Sequence, residues 1–146
     1  MPPVLLDTDI LVYVYELRDP LKQNLANVLV KRLESEGIGR LSVQCLGEFF
    51  QATTYKLHLP PAQMYIQMEY WRDAFPVFDL TAQIVLEAAR GVRDHRLAYY
   101  DAQIWAAARL NQIPVVFSED FQDGQVLEGV RFANPFAPAF DLETWL

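Results

Sequence analysis

Two short runs of large apolar residues, each cut off by acids, constrain this chain more than any other feature. Val4-Leu5-Leu6 ends in Asp7-Thr8-Asp9, and Pro114-Val115-Val116-Phe117 ends in Ser118-Glu119-Asp120. Neither run alternates with polar residues, so a strand built from it has two faces to keep from water. Such strands sit inside a mostly parallel sheet covered by helices on both sides, and ligands of such sheets bind beyond the carboxyl ends of the strands.

The intervening segments supply the helices. Ile10 to Tyr15 predicts a short one directly after the first acids. From Pro20 to Glu36, Leu21, Leu25, Val28, Leu29 and Leu33 recur at three- and four-residue steps, and Gly37 and Gly39 stop the pattern. Arg40-Leu41-Ser42-Val43 reads as a strand, followed by a helix with the stripe Leu46, Phe49, Phe50, Thr53 and Leu57 that ends before Pro60. Ala62 to Phe75 fits another helix and Pro76 to Leu80 a short strand. Thr81 then caps a helix to about Arg93 that carries Ile84, Val85, Ala88, Ala89 and Val92. Tyr99 to Asn111 is helical, and Val130-Arg131-Phe132 follows the Asp123-Gly124 turn as a last strand. The expected architecture is α/β, three layers around a mostly parallel five-stranded sheet.

At 146 residues the chain suits one domain over 1–146, with 133–146 as an extended tail bearing Phe136, Phe140, Leu142 and Trp145. That strip covers either its own chain or a partner's. A hydrophobic fraction of 52% against 21% charged residues excludes wholesale disorder. No apolar run approaches the roughly eighteen residues of a membrane span, and the first residues lack the basic start of a signal peptide, so a cytoplasmic protein with no membrane association is expected. Cys45 stands alone, which removes disulfide scaffolds and thiolate zinc sites and leaves it as a small core residue. A net charge of −7 argues against binding nucleic acid by a broad basic surface, but acids gathered around a cation enter that sum without repelling a phosphate.

The acids fall in a pattern. Asp7 and Asp120 stand at the ends of two buried strands, Glu48 lies in the early turns of a helix off its apolar stripe, and Asp101 shares a helix face with Ile104, Trp105 and Ala108. Four carboxylates directed to one rim with no lysine or arginine nearby in sequence call for a hard divalent cation, Mg²⁺ or Mn²⁺. A cation so held makes a bound water nucleophilic and neutralises phosphate oxygens, which suits phosphodiester hydrolysis. Singly, each acid also has an ordinary reading as a helix cap, a first-turn acid, a turn residue or a solvated side chain. Arg90, Arg93 and Arg96, with His95, form the local basic cluster and are candidates to contact a nucleic-acid backbone, or else a solvated helix end.

Leu5-Leu6-Asp7-Thr8-Asp9-Ile10-Leu11-Val12-Tyr13, Gly47-Glu48-Phe49, Tyr99-Tyr100-Asp101-Ala102 and Ser118-Glu119-Asp120-Phe121-Gln122-Asp123-Gly124 occur in this order over nearly the whole chain. The set resembles the PIN-domain ribonucleases, and most closely the VapC-type toxins of toxin–antitoxin pairs. The resemblance implies the strand order 3-2-1-4-5 and an endoribonuclease whose catalytic acids are Asp7, Glu48, Asp101 and Asp120. By the same resemblance these four bind the metal, and Ser118 holds a neighbouring carboxylate by hydrogen bond, with Thr8 beside it. It further implies an RNA substrate, a cognate antitoxin and a homodimer, for which Tyr65, Tyr70 and Trp71 on one surface and Phe136, Phe140 and Trp145 on the other are candidate anchors. Asp9 departs from the Asn or Ser more common in such toxins and is a ligand or a helix cap. Asp123 competes with Asp120 for the fourth role, with Ser118 favouring Asp120. Two other readings stand beside this one: a catalytically idle domain of the same fold, and a haloacid-dehalogenase-like phosphatase. The second lacks its downstream lysine, since Lys22, Lys31 and Lys56 are the chain's lysines.

Overall fold

In the computed structural model, which describes residues 2–146, six strands form one sheet. They are β1 (Val4–Leu6), β2 (Gly39–Ser42), β3 (Val77–Phe78), β4 (Val115–Phe117), β5 (Val126–Leu127) and β6 (Val130–Ala133), in the order β3-β2-β1-β4-β6-β5. All neighbouring pairs are parallel except the β5–β6 hairpin. The expected 3-2-1-4 order holds, and the strand expected at Val130 follows as β6. The sixth strand is the addition. Its turn places Glu128 at φ 47° and Gly129 at φ 86°, the paired left-handed conformations that let two strands reverse over two residues. Two residues of strand are too few to register as a periodic signal.

Six helices cover the sheet: α1 (Thr8–Tyr13), α2 (Pro20–Ser35), α3 (Val43–Gln51), α4 (Pro61–Ala74), α5 (Ala82–His95) and α6 (Tyr99–Leu110). Among the described residues, no helix is long and apolar enough to cross a membrane. Ser42 and Thr81 cap α3 and α5 by accepting from Cys45 N and Ile84 N. A π-helical stretch, Ala52–Lys56, prolongs α3 beyond the regular helix. Val4, Leu5 and Leu6 are fully buried between the helical layers, as two-faced strands require. Cys45 is a buried core residue.

Three helical faces differ from their sequence patterns. On α2 the core side is Ala26, Leu29, Val30 and Leu33, while Leu21, Leu25 and Val28 remain exposed. On α3 the buried row is Cys45, Phe49 and Thr53, with Leu46 and Phe50 at its flank. On α5 it is Ile84, Ala88 and Gly91, rotated away from Val85 and Val92 because small residues bring α5 close to α6. Trp71 is no surface anchor either. It is buried with its ring 4.8 Å from that of Phe49, leaving Tyr65, Ile66 and Tyr70 exposed on α4.

The tail closes on its own chain. Phe140 and Trp145 meet the ring of Phe117 edge-on at 5.3 and 5.5 Å, and Phe136 meets Tyr13 at 5.0 Å. It is not extended throughout: Leu142–Trp145 forms a 3-10 turn with Asp141 accepting from Glu143 N.

Gly91 is the tightest point of the α5–α6 contact, since a Cβ there would lie 2.8 Å from the ring of Trp105, itself fully buried and donating from Nε1 to Leu127 O. The ring has no room to retreat. Gly91→Ala should therefore lower stability by about 1–3 kcal/mol in urea unfolding despite the better helix propensity of alanine; a variant as stable as the parent would contradict this packing.

Candidate functional site

The β1–β4 register builds the site. Leu6 lies beside Phe117, and Asp7 N donates to Phe117 O at 3.0 Å, so the ladder continues one step past both strands. Ser118 N is fixed by Ala133 O of β6 at 3.0 Å. Asp7 and Ser118 thereby arrive at one edge, and Ser118 Oγ donates to Asp7 Oδ2 at 2.7 Å. The same hydroxyl accepts from Asp120 N at 3.0 Å, so one serine ties the first acid to the backbone of the last. Asp7 is also the N-cap of α1, taking Thr8 N on Oδ1 at 2.7 Å.

Asp9 is more than an added charge. Its Oδ1 accepts from Ile10 N at 2.8 Å and its Oδ2 from Glu119 N at 3.0 Å, which clamps the loop after β4 onto α1. Oxygens of Asp7, Asp9 and Asp120 lie within 4.8 Å of one another, the one such group of carboxylates among the described residues.

Glu48 and Asp101 face this group from the neighbouring helices. The Glu48 carboxylate takes Thr8 Oγ1 at 3.1 Å and Gln44 Nε2 at 2.9 Å. Gln44 is held in turn by Tyr100 O at 3.0 Å and by the buried Gln103 at 2.9 Å. Asp101, in the first turn of α6, is only half-buried, whereas Ile104, Trp105 and Ala108 of its stripe are buried. Asp123 stands elsewhere, accepting from Asn134 N at 2.9 Å in the approach to the tail.

The basic cluster is largely engaged. Arg90 pairs with Glu87, Asp94 and Glu128, Arg93 pairs with Asp94, and Arg96 forms the left-handed cap of α5. Several contributors carried no distinctive sequence signal. Gln44 and Gln103 are amides whose role comes only from where α3 and α6 meet. Glu119 joins Tyr13 and Lys22, the lysine at 2.8 Å, across 97 residues of sequence. A cleft of about 490 Å³ opens over the acids, lined by Thr8, Asp9, Tyr13, Glu48, Lys56 and Asp120 among others.

Burial dominates the electrostatics. It pushes Asp7 up to about 7, against the hydrogen bonds from Ser118 and Thr8 N that favour the ionised form. Asp9 rises to about 8, by burial first and by the charge of Asp7 second. Asp101 is raised by burial and then by Asp120 and Glu48, and Asp120 by burial and then by Glu119. A tight group made only of carboxylate oxygens, each resisting ionisation, fits a hard divalent cation such as Mg²⁺ or Mn²⁺.

The PIN domain family model matches residues 4–122. Among solved structures, VapC20 of Mycobacterium tuberculosis, described as a sarcin-ricin loop cleaving toxin, aligns with a TM-score of 0.64 at 20% identity, covering 88% of this chain and 98% of its own. A toxin–antitoxin complex from Klebsiella pneumoniae aligns at 0.61 and 19% identity, covering 91% and 98% respectively. DNA-bound VapBC from Salmonella typhimurium aligns at 0.66 and 17% identity, covering 92% and 99%. At these identities the likeness is one of fold. A search of curated protein sequences found no match.

The raised carboxyls make stability depend on pH in a defined direction. Asp7 and Asp9 hold protons more tightly in the folded chain than in the unfolded one, so folding is favoured below about pH 4 by these groups and loses that contribution as pH rises towards about 8. Glu16, Glu87 and Glu128, lowered by arginine and histidine partners, act below that window. In EDTA the melting temperature should fall between about pH 5 and pH 8.5, Mg²⁺ or Mn²⁺ should restore it at the upper end, and Asp9→Asn should flatten the profile. A metal-free melting temperature that rises across that range would count against the buried acid group.

Proposed function

The chain belongs to the PIN-domain family, and from that membership we propose that it is a metal-dependent endoribonuclease acting as the toxin of a toxin–antitoxin pair. The observation that carries the reading is the Asp7, Asp9 and Asp120 group at the carboxyl edge of β1 and β4, with Glu48 and Asp101 facing it. The three aspartates would hold Mg²⁺ or Mn²⁺, and Glu48 and Asp101 would complete the acidic shell. When bound, such a cation lowers the pKa of water and neutralises phosphate oxygens.

The residues of the chain have separable tasks. Ser118 and Thr8 N keep the Asp7 carboxylate in one orientation, so its position is set before any ligand arrives. Asp9 holds the Glu119 backbone, which fixes where Asp120 begins. Gln44 and Thr8 orient Glu48 at the cleft mouth, where a carboxylate can accept a proton from an attacking water.

An antitoxin partner is supported by the solved relatives described as VapBC or toxin–antitoxin complexes. An arginine on an extended inhibitor segment would meet four or five carboxylates in this cleft and compete with the cation by charge and hydrogen bonding. A homodimer is supported by Tyr65, Ile66 and Tyr70, exposed together on α4.

Purified protein freed of any partner should cleave RNA with Mg²⁺ or Mn²⁺ and stop on addition of EDTA. Asp7→Asn, Glu48→Gln and Asp101→Asn should each cost about a hundredfold or more in kcat while leaving the fold intact by circular dichroism. Full activity in Asp101→Asn would refute its assignment, and metal binding without cleavage of any RNA in a broad panel would favour an idle binding domain. Light scattering tests the dimer: a monomer at micromolar concentration would remove that part of the reading.

A further inference from the structure

The π-helical stretch Ala52–Lys56 lies next to the cleft yet has no part in holding the acids. In it Leu57 N donates to Ala52 O at 3.2 Å, five residues back instead of four. Two consecutive threonines accompany the widening: Thr53 Oγ1 donates to Phe49 O at 2.8 Å and Thr54 Oγ1 to Phe50 O at 2.6 Å. A turn that takes one extra residue sets everything after it back by one helical step, about 100°. In an unbroken α-helix, position 56 would stand about 80° round the cylinder from Glu48, at the margin of the face that carries it. With the extra residue it takes the place of a residue seven after Glu48, on the same face.

That rotation turns Lys56 from the margin towards Glu48, and of the residues lining the cleft with Glu48, Gln51 and Ala52 it is the one cation. The other nearby lysine, Lys22, is committed to Glu119 at 2.8 Å. Among the described residues Lys56 has no carboxylate partner, while seven of the twelve basic side chains do. A chain of net charge −7 whose cleft is lined by acids repels a polyanion everywhere except where a cation is bound or a basic side chain stands free. We propose that the π-helical stretch is a register device that presents Lys56 to the cleft as a binding residue for a backbone phosphate of the RNA, outside the reacting group. This rests on the ribonuclease reading above and adds to it where the strand enters.

The test compares Lys56→Gln, Lys56→Arg and the double variant Tyr55→Lys/Lys56→Gln with the parent, on one RNA that the parent cleaves. Tyr55 is 72% exposed, so the double variant keeps the net charge and moves it one position along the helix without disturbing the core. Lys56→Gln should raise KM about fivefold with kcat within about twofold, and should reduce the slope of log(kcat/KM) against log salt by about 0.7. Lys56→Arg should restore both, and the double variant should not. An unchanged KM in Lys56→Gln, a loss confined to kcat, or rescue by the double variant would overturn the proposal. If the parent cleaves no RNA, the ribonuclease reading fails by itself. Lys56 is then judged by fluorescence anisotropy of a labelled single-stranded RNA in EDTA, where equal affinity of parent and Lys56→Gln overturns the claim and several-fold weaker binding by Lys56→Gln sustains it.

Discussion

The parallel register of β1 on β4 is the constraint on which the rest of this molecule depends. Leu6 beside Phe117 puts Asp7 beside Ser118, and their 2.7 Å hydrogen bond joins the two halves of the acid group. A slip of one residue would draw Asp7 into the buried ladder or carry Leu6 out to the acid rim, and either way would part Asp7 from Ser118. Hydrophobic burial thus specifies the register, and the register specifies the chemistry. The acids need no binding energy of their own to find each other.

They do impose a cost. Asp7 and Asp9 are held where water cannot solvate their charges, and the donors around them offset only part of this, as their raised pKa values show. Those donors are mostly backbone N–H groups of Thr8, Ile10 and Glu119, with one hydroxyl from Ser118. Fixed dipoles of this kind orient a carboxylate without cancelling its charge, which leaves the group able to attract a cation. The arginines of α5 and α6 are otherwise engaged: Arg90, Arg93 and Arg109 are tied to Glu87, Asp94 and Glu128.

Much of this was legible in the sequence because two-faced strands and strand-end acids are local signals. The runs at Val4 and Val115 predict their strands, and the ordered acids predict which residues approach one rim. What escaped depends on contacts between distant segments. The α2 face could not be read from its leucines, because Ala26 and Val30 are selected by the fit against the sheet and not by hydropathy. The α5 face turned on Gly91, whose value lies in the ring it admits. Asp9 reads as a cap or spare charge until the loop after β4 is placed, 110 residues away. The wide turn at Ala52 has no composition of its own beyond two threonines.

The Asp7–Ser118 bond spans 111 residues of sequence, and Phe140 and Trp145 lie against Phe117 still later. During synthesis, β1 leaves the ribosome with its partner strand β4 unmade, so the acid group cannot assemble on a nascent chain until the segment through Ser118 and Asp120 has emerged. The aromatic rings that seal β4 come last of all. However far β1 and the helices after it have folded, a chain built this way holds no assembled acid group while β4 is unmade.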